Sequence, residues 1–302
     1  NSIWYNTGTL GQNIRTFVKE LASPSKQNPF IELWPSQQSA IRSNLFDMAK
    51  RCIVLQMPTS AGKTLMAEFS IIQSHVLNPD SNILYVVPTR ALVNQITMQL
   101  RKDLSPLNMV VESAVPVFEL DPTEDELLRK ECDVLVSTPE KLELLLRSNH
   151  PSVQNISLVI ADEIHNISDP MRGSTLELFL GKVLRERTNT RFLLMSPFVP
   201  NASDLARWLG KELSAQIQIQ WKPSERITAA STYTRRRLIQ KRIKLTTLLS
   251  AHSSDVKEQI NFTINSKIIR GPKTKENVAL STALSLTQYG SVLLLCSSRD
   301  GA

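Results

Sequence analysis

Short, fully apolar runs alternate with longer stretches of helical periodicity through the middle of the chain. The runs at residues 52–55, 83–87, 134–136, 158–160 and 192–195 are apolar at consecutive positions, the pattern of strands buried on both faces. Between them, residues 64–74, 91–100, 139–147, 175–184 and 202–209 repeat apolar positions at three- and four-residue spacing, as helices with one buried face do. This alternation predicts an α/β domain: a mostly parallel sheet, helices on both faces, right-handed crossovers.

The pattern changes at both ends. Residues 1–33 include Pro24, Ser25 and Pro29 ahead of Trp34-Pro35, and read as an accessory segment that packs on the domain. The α/β domain is expected over 34–215. After Trp221 the alternation fades into polar, basic sequence. A helical run at 276–289 and an apolar run at 291–296 follow. Residues 216–302 are therefore expected to be a basic linker and the first, incomplete elements of another domain, because a lone strand with nothing to pair against is not a stable sheet.

Composition narrows the class. With 41% apolar and 21% charged residues over 302 positions, the chain suits an ordinary globular protein of about two domains. No apolar run approaches the roughly 18–20 residues of a membrane span, so no membrane association is expected. Cys52, Cys132 and Cys296 are far apart and lack zinc spacing, which fits buried thiols in a reducing intracellular compartment, cytoplasmic or nuclear. The net charge of +7 is uneven: residues 221–275 hold 13 Lys/Arg against 3 Asp/Glu, and the rest of the chain is net acidic. Such a block fits either a phosphate-rich partner or a solvated connector.

Two segments carry candidate chemistry. Pro58-Thr59-Ser60-Ala61-Gly62-Lys63-Thr64 follows the first strand and opens a helix, the setting a phosphate-binding loop requires. Free N–H groups at a helix start form an anion site, and Gly62 lets backbone approach phosphate. Lys63 brings a flexible charge to the β- and γ-phosphates, and the Thr64 hydroxyl is a hard ligand for Mg²⁺. Met57 stands where the strict pattern has glycine. The second segment is Leu158-Val159-Ile160-Ala161-Asp162-Glu163-Ile164-His165. Carboxyl ends of parallel strands face the ligand crevice, so Asp162 and Glu163 should face the same crevice as the loop. Asp162 suits Mg²⁺, directly or through water, and Glu163 suits orienting and deprotonating an attacking water. The same pair also fits a helix N-cap with a first-turn acid.

Together these residues resemble the superfamily 2 helicases of the DEAD/DEAH-box division, nearest the Ski-two-like branch. Asp162-Glu163-Ile164-His165 matches the D-E-x-H pattern, and further segments follow in the family's order. Pro35-Ser36-Gln37 resembles the segment whose glutamine reads adenine. Pro88-Thr89-Arg90-Ala91-Leu92 and Thr138-Pro139-Glu140-Lys141 resemble the two that hold the nucleic-acid backbone. Asp169-Pro170-Met171-Arg172-Gly173 resembles the stretch after D-E-x-H in the Ski-type branch, and Ser196 begins the motif that couples hydrolysis to strand movement. The resemblance implies a RecA-like P-loop domain followed by the start of a second RecA-like lobe.

It also implies ATP and Mg²⁺ as cofactors, with ATP held by Gln37, residues 58–64 and His165, and Mg²⁺ by Thr64 and Asp162. Lys63, Asp162 and Glu163 would be catalytic, and Thr89, Arg90, Thr138 and Lys141 would contact nucleic acid, as a single strand or a duplex junction. Overall likeness favours DNA over RNA. The expected function is an ATP-dependent helicase or translocase. The arginines that complete its site would come from the second lobe, so the chain alone should bind ATP–Mg²⁺ weakly and hydrolyse it slowly. Where the family has Ser-Ala-Thr, this chain has Ser196-Pro197-Phe198, which loses an N–H and a hydroxyl. The alternative is an ATP-gated clamp or sensor that does not unwind. A P-loop kinase or GTPase fits poorly, since no base-reading motif of a GTPase is visible.

Overall fold

The computed structural model describes residues 2–7, 11–23, 31–114, 132–170, 173–223, 228–235, 241–248, 261–265, 274–287 and 290–293. The chain divides into two units, 1–223 and 224–302.

The first unit is built on a seven-stranded, all-parallel sheet: β1 (Cys52–Gln56), β2 (Asn82–Val86), β3 (Val111–Ala114), β4 (Val134–Ser137), β5 (Ile156–Ala161), β6 (Arg191–Ser196) and β7 (Ser214–Gln218). Their spatial order is β3-β4-β2-β5-β6-β1-β7. Alternate residues of one strand enter different cores, as the two-residue period of a strand demands. From β1 and β2, Ile53, Leu55, Ile83 and Tyr85 join one buried cluster while Cys52, Val54, Leu84 and Val86 join the other.

Helices cover both faces. On the first lie α1 (Ile3–Thr7), α2 (Gln12–Leu21), α3 (Pro35–Arg42), α4 (Lys63–Leu77) and α5 (Arg90–Leu104). On the second lie α6 (Pro139–Arg147), α7 (Gly173–Glu186) and α8 (Ala202–Gly210). This is the α/β architecture expected from the alternation, and the RecA-like fold that the resemblance implies. The N-terminal segment is part of the core: Ile14, Phe17 and Val18 of α2 are buried, and Phe17 meets Phe69 of α4 edge-on at 5.9 Å.

Two strands of this sheet escape the sequence reading, and both are its edges. β3 (VESA) and β7 (SAQIQ) carry polar residues because an edge strand faces water more than a central one does. The domain end expected at residue 215 falls inside β7, which pairs with β1 along its whole length, so the first unit runs on to Pro223.

The second unit differs from the basic linker expected there. Its described residues include an antiparallel sheet of β8 (Thr228–Arg235), β9 (Lys241–Leu248) and β10 (Asn261–Asn265), with β9 central. A helix, α9 (Lys275–Leu286), corresponds to the expected helical run. Residues 290–293 form no strand, and the rest of the strand expected at 291–296 lies outside the described residues. No described helix is long and apolar enough to cross a membrane.

Truncating Phe17 to alanine should destabilise the protein by roughly 3–5 kcal/mol, read as a lower denaturation midpoint at unchanged slope. Burial pushes the thiol of Cys52 up to about 12 and that of Cys132 up to about 11. In a Cys296→Ser background, neither thiol should react with an aromatic disulfide reagent near neutral pH until the chain unfolds, because the thiolate is the nucleophile.

Candidate nucleotide site

The loop after β1 turns sharply into α4. Met57 continues the sheet, its N–H donating to the Ser196 carbonyl at 2.9 Å, and its side chain is fully buried. It is absent from the positive-φ positions, so the backbone there does not need the glycine of the strict motif. The positive φ values fall instead at Ser60 (63°) and Gly62 (87°). The backbone angle at Gly62 calls for glycine, and a Cβ there would also displace the Gln37 side-chain amide. Gly62 is the N-cap of α4 and no side chain caps that end. The first N–H groups of α4 therefore form an uncapped anion site at the end of β1. Lys63 and Thr64 are its first two residues, and Thr59 and Ser60 are exposed on the loop.

Asp162 and Glu163 arrive at the same place from the end of β5. The Asp162 N–H extends the ladder by donating to Val86 O at 2.9 Å. Lys63 Nζ lies 3.2 Å from Glu163 Oε1 and 3.9 Å from Asp162 Oδ1, with the lysine only 9% exposed. The expected convergence of loop and acids is thus observed. The helix-cap alternative is not: Glu163 occupies the N-cap of the short 3₁₀ turn Ile164–Ser168 but makes no side-chain cap. Its φ of 53° is left-handed, a strained state that aims the carboxylate back at Lys63 rather than along the turn.

Asp162 is anchored on both oxygens. Oδ1 accepts from the Glu163 N–H at 2.9 Å, and Oδ2 accepts from the Tyr85 hydroxyl at 3.3 Å. Burial raises the Asp162 carboxyl above the usual range, against the pull of Lys63. Burial likewise raises the Tyr85 phenol well above its ordinary value, so it stays a neutral donor. Tyr85 was missed at the sequence level. The available signal was a phenol inside an otherwise apolar run, Asn82–Val86, since a buried Tyr hydroxyl must find a partner.

His165 and Ser196 close the far side. His165 Nδ1 lies 3.2 Å from Glu163 Oε2 and 3.1 Å from Ser196 Oγ. The Ser196 hydroxyl donates to Phe198 O at 3.1 Å, so its oxygen accepts both from His165 Nδ1–H and from the Phe198 N–H at 3.3 Å. Ser196-Pro197-Phe198 thus forms a tight turn closed on the serine's own hydroxyl, with the Phe198 ring 64% exposed.

Other expected residues divide. Gln37 is buried and engaged at both ends: Oε1 accepts from the Trp34 N–H at 2.9 Å, and Nε2 donates to Gly62 O at 3.4 Å. It ties the loop to α3. Thr89 caps α5, accepting from the Leu92 N–H at 3.3 Å, and Arg90 beside it is exposed. Thr138 sits at the N-cap of α6 without a capping bond, and its buried Oγ1 has no hydrogen-bond partner among the described residues. Lys141, also expected to contact nucleic acid, is buried. The turn of α6 puts it on the buried side with Leu142 and Leu145, at 1% exposure. Gly173 closes the stretch after D-E-x-H: a Cβ there would lie 2.1 Å from Ile167 O. Met171 and Arg172 lie outside the described residues.

The donor set fits a magnesium–triphosphate group. An uncapped helix start and a buried lysine suit phosphates, while the Thr64 hydroxyl and Asp162 carboxylate are hard oxygens for Mg²⁺.

Comparison with known proteins identifies the family. The DEAD/DEAH box helicase family profile matches residues 34–205, more than half of the chain. The chain is 31% identical over 226 residues to the Hachiman protein HamB of Bacillus cereus, covering 74% of this chain and 20% of that protein. It is 33% identical over 197 residues to the ATP-dependent DNA helicase Hel308 of Methanocella arvoryzae, covering 64% of this chain and 25% of that protein. The chain therefore spans a quarter or less of the length of these two relatives. Among solved structures, the yeast DEAD-box splicing factor Prp28 superposes with a TM-score of 0.59 at 20% identity, over 71% of this chain and 51% of that one. The helicase MrfA bound to DNA and AMPPNP gives 0.53 at 22% identity, over 68% and 29%.

Replacing Tyr85 with phenylalanine should leave a buried carboxylate oxygen of Asp162 without its donor. The expected cost is about 1–3 kcal/mol of unfolding free energy, measured by denaturant titration.

Proposed function

This chain belongs to the DEAD/DEAH box helicase family, and from that premise we propose that it is the ATP-binding part of a nucleic-acid helicase or translocase. One observation carries the reading. The Lys63 ammonium and the Asp162 and Glu163 carboxylates, 100 residues apart in the chain for Lys63 and Glu163, meet within 3.2–3.9 Å beyond the carboxyl ends of β1 and β5.

The roles follow from placement. The N–H groups at the start of α4 and the Lys63 ammonium bind the phosphates. Thr64 and Asp162 hold Mg²⁺, with Tyr85 and the Glu163 N–H fixing the carboxylate's rotation. When bound, Mg²⁺ supplies charge neutralisation of the phosphate oxygens. Glu163 orients and deprotonates the attacking water. His165 touches both Glu163 and Ser196, so a shift of the acid is passed to the end of β6. Gln37 positions the loop at the base end.

Thr89 and Arg90 grip the strand backbone, contacts that carry no base information. A strand seated at the start of α6 would give the Thr138 hydroxyl its partner. DNA is the favoured strand, because the Hel308 relatives are named DNA helicases and MrfA is solved bound to DNA. A second lobe of the same parent chain supplies the arginines that complete the site, a contribution worth ~10³–10⁵ in rate. Alone, the 302-residue chain binds ATP–Mg²⁺ weakly and turns it over slowly. A second reading, an ATP-gated clamp, is favoured by the turn at Ser196-Pro197-Phe198, where the proline has no N–H to offer. Hydrolysis without strand separation by the full-length protein would select it.

The test is a pair of substitutions. Lys63→Ala should abolish binding of a fluorescent ATP analogue to this chain, whereas Glu163→Gln should retain it. In the full-length protein, Glu163→Gln should lower hydrolysis by at least about 100-fold. Normal turnover by both variants would show that these residues are not the site.

A further inference from the structure

Glu68 is a buried acid to which the site described above gives no role. It lies in α4 at 2% exposure, where an acid is rarely found unless it is paired. Its neighbours Met66, Ala67 and Phe69 join the apolar cluster between this helix layer and the sheet. A charge in such surroundings has to be held by polar groups. One of them is the Gln99 amide of α5, whose Nε2 donates to Glu68 Oε1 at 3.3 Å.

The place of Glu68 in the helix gives its side chain a direction. It follows Thr64 by one helical turn, and long side chains on a helix lean towards the N-terminus. Glu68 therefore leans towards the turn that carries Lys63 and Thr64. On the sheet side, Tyr85 of β2 belongs to the same buried cluster as its neighbours in α4, and the Tyr85 hydroxyl donates to Asp162 Oδ2 at 3.3 Å. Burial is the main reason why this phenol keeps its proton, and the charges of Asp162 and Glu68 add to it. A phenol has one proton to give. The Gln99 amide supplies Glu68 with a donor from another helix, which leaves the phenol proton committed to Asp162.

We propose that Glu68 is a positioning residue for the Mg²⁺ site: held by Gln99, it keeps the Tyr85 hydroxyl turned to Asp162 and places negative charge behind both Thr64 and Asp162. Groups behind the ligands orient a ligating carboxylate and strengthen its hold on the ion. The proposal rests on the reading of Thr64 and Asp162 as the magnesium ligands, and it adds a residue outside the two segments that carry that reading.

The experiment titrates Mg²⁺ into the 302-residue chain with a fluorescent ATP analogue and follows the analogue bound. Glu68→Gln keeps the shape of the side chain and removes its charge. It should raise the half-saturating Mg²⁺ concentration about tenfold, while binding of the analogue in EDTA stays within about twofold of the unaltered chain. Tyr85→Phe should raise the same midpoint, and the double variant should be no worse than the stronger single one, because the two residues act in series. Should Glu68→Gln fail to fold by thermal melting, Gln99→Leu, at a half-buried position, removes the donor and should raise the midpoint about threefold. An unchanged Mg²⁺ dependence in Glu68→Gln, an equal loss with and without Mg²⁺, or additive losses in the double variant would overturn the proposal and leave Glu68 as a tie between α4 and α5. Absence of analogue binding by the unaltered chain at every Mg²⁺ concentration would instead remove the nucleotide reading itself.

Discussion

Burying the Lys63 ammonium sets the conditions that the nucleotide site has to meet. A charge taken out of water costs several kcal/mol unless it is paired in good geometry. Here the pairing comes from two carboxylates that the sequence places on a different crossover. That requirement fixes the relation between β1 and β5, which are separated in the sheet by β6 alone. It also explains why the acids follow the strand without a gap. The ladder bond from the Asp162 N–H to Val86 O leaves no slack for the carboxylates to wander.

Around this pair, two local departures from ordinary backbone serve the same end. Gly62 and Glu163 both take left-handed conformations, one at the start of α4 and one at the end of β5. The first clears space against Gln37 and leaves the helix start uncapped. The second turns a carboxylate back towards the lysine. Such strain persists only where surrounding structure holds it. Tyr85, His165 and Ser196 provide that hold, each bonded to one of the acids or to a group that is. The same network extends to the turn at Pro197 and Phe198, so the altered motif is tied to the acid rather than standing apart from it.

Charge is distributed differently in the two units. The first gathers opposite charges into a compact, mostly buried site. The described strands of the second contain no Asp or Glu, and by register their four cations divide between the faces, Arg235 and Lys241 on one and Arg242 and Lys244 on the other. Apolar rows explain how so basic a stretch supports a sheet: Tyr233, Ile243, Leu245, Phe262 and Ile264 share one face by register.

The sequence by itself determined the α/β class, the five central strands, the helices between them and the pairing of Lys63 with Asp162 and Glu163. These were legible because buried parallel strands are apolar on both faces, and because phosphate chemistry needs those residue types at strand ends. Tertiary structure alone decided the rest. Edge strands β3 and β7 carry mixed patterns and declare themselves only by their neighbours. Lys141 carries the family's motif in sequence, yet helix phase buries it. Gln37 also ties α3 to the loop, a contact that only packing decided. Tyr85 became part of the site because β2 lies beside β5, an adjacency that no local pattern encodes. The basic stretch could be coil or sheet, and cross-strand pairing, a long-range property, made part of it a sheet.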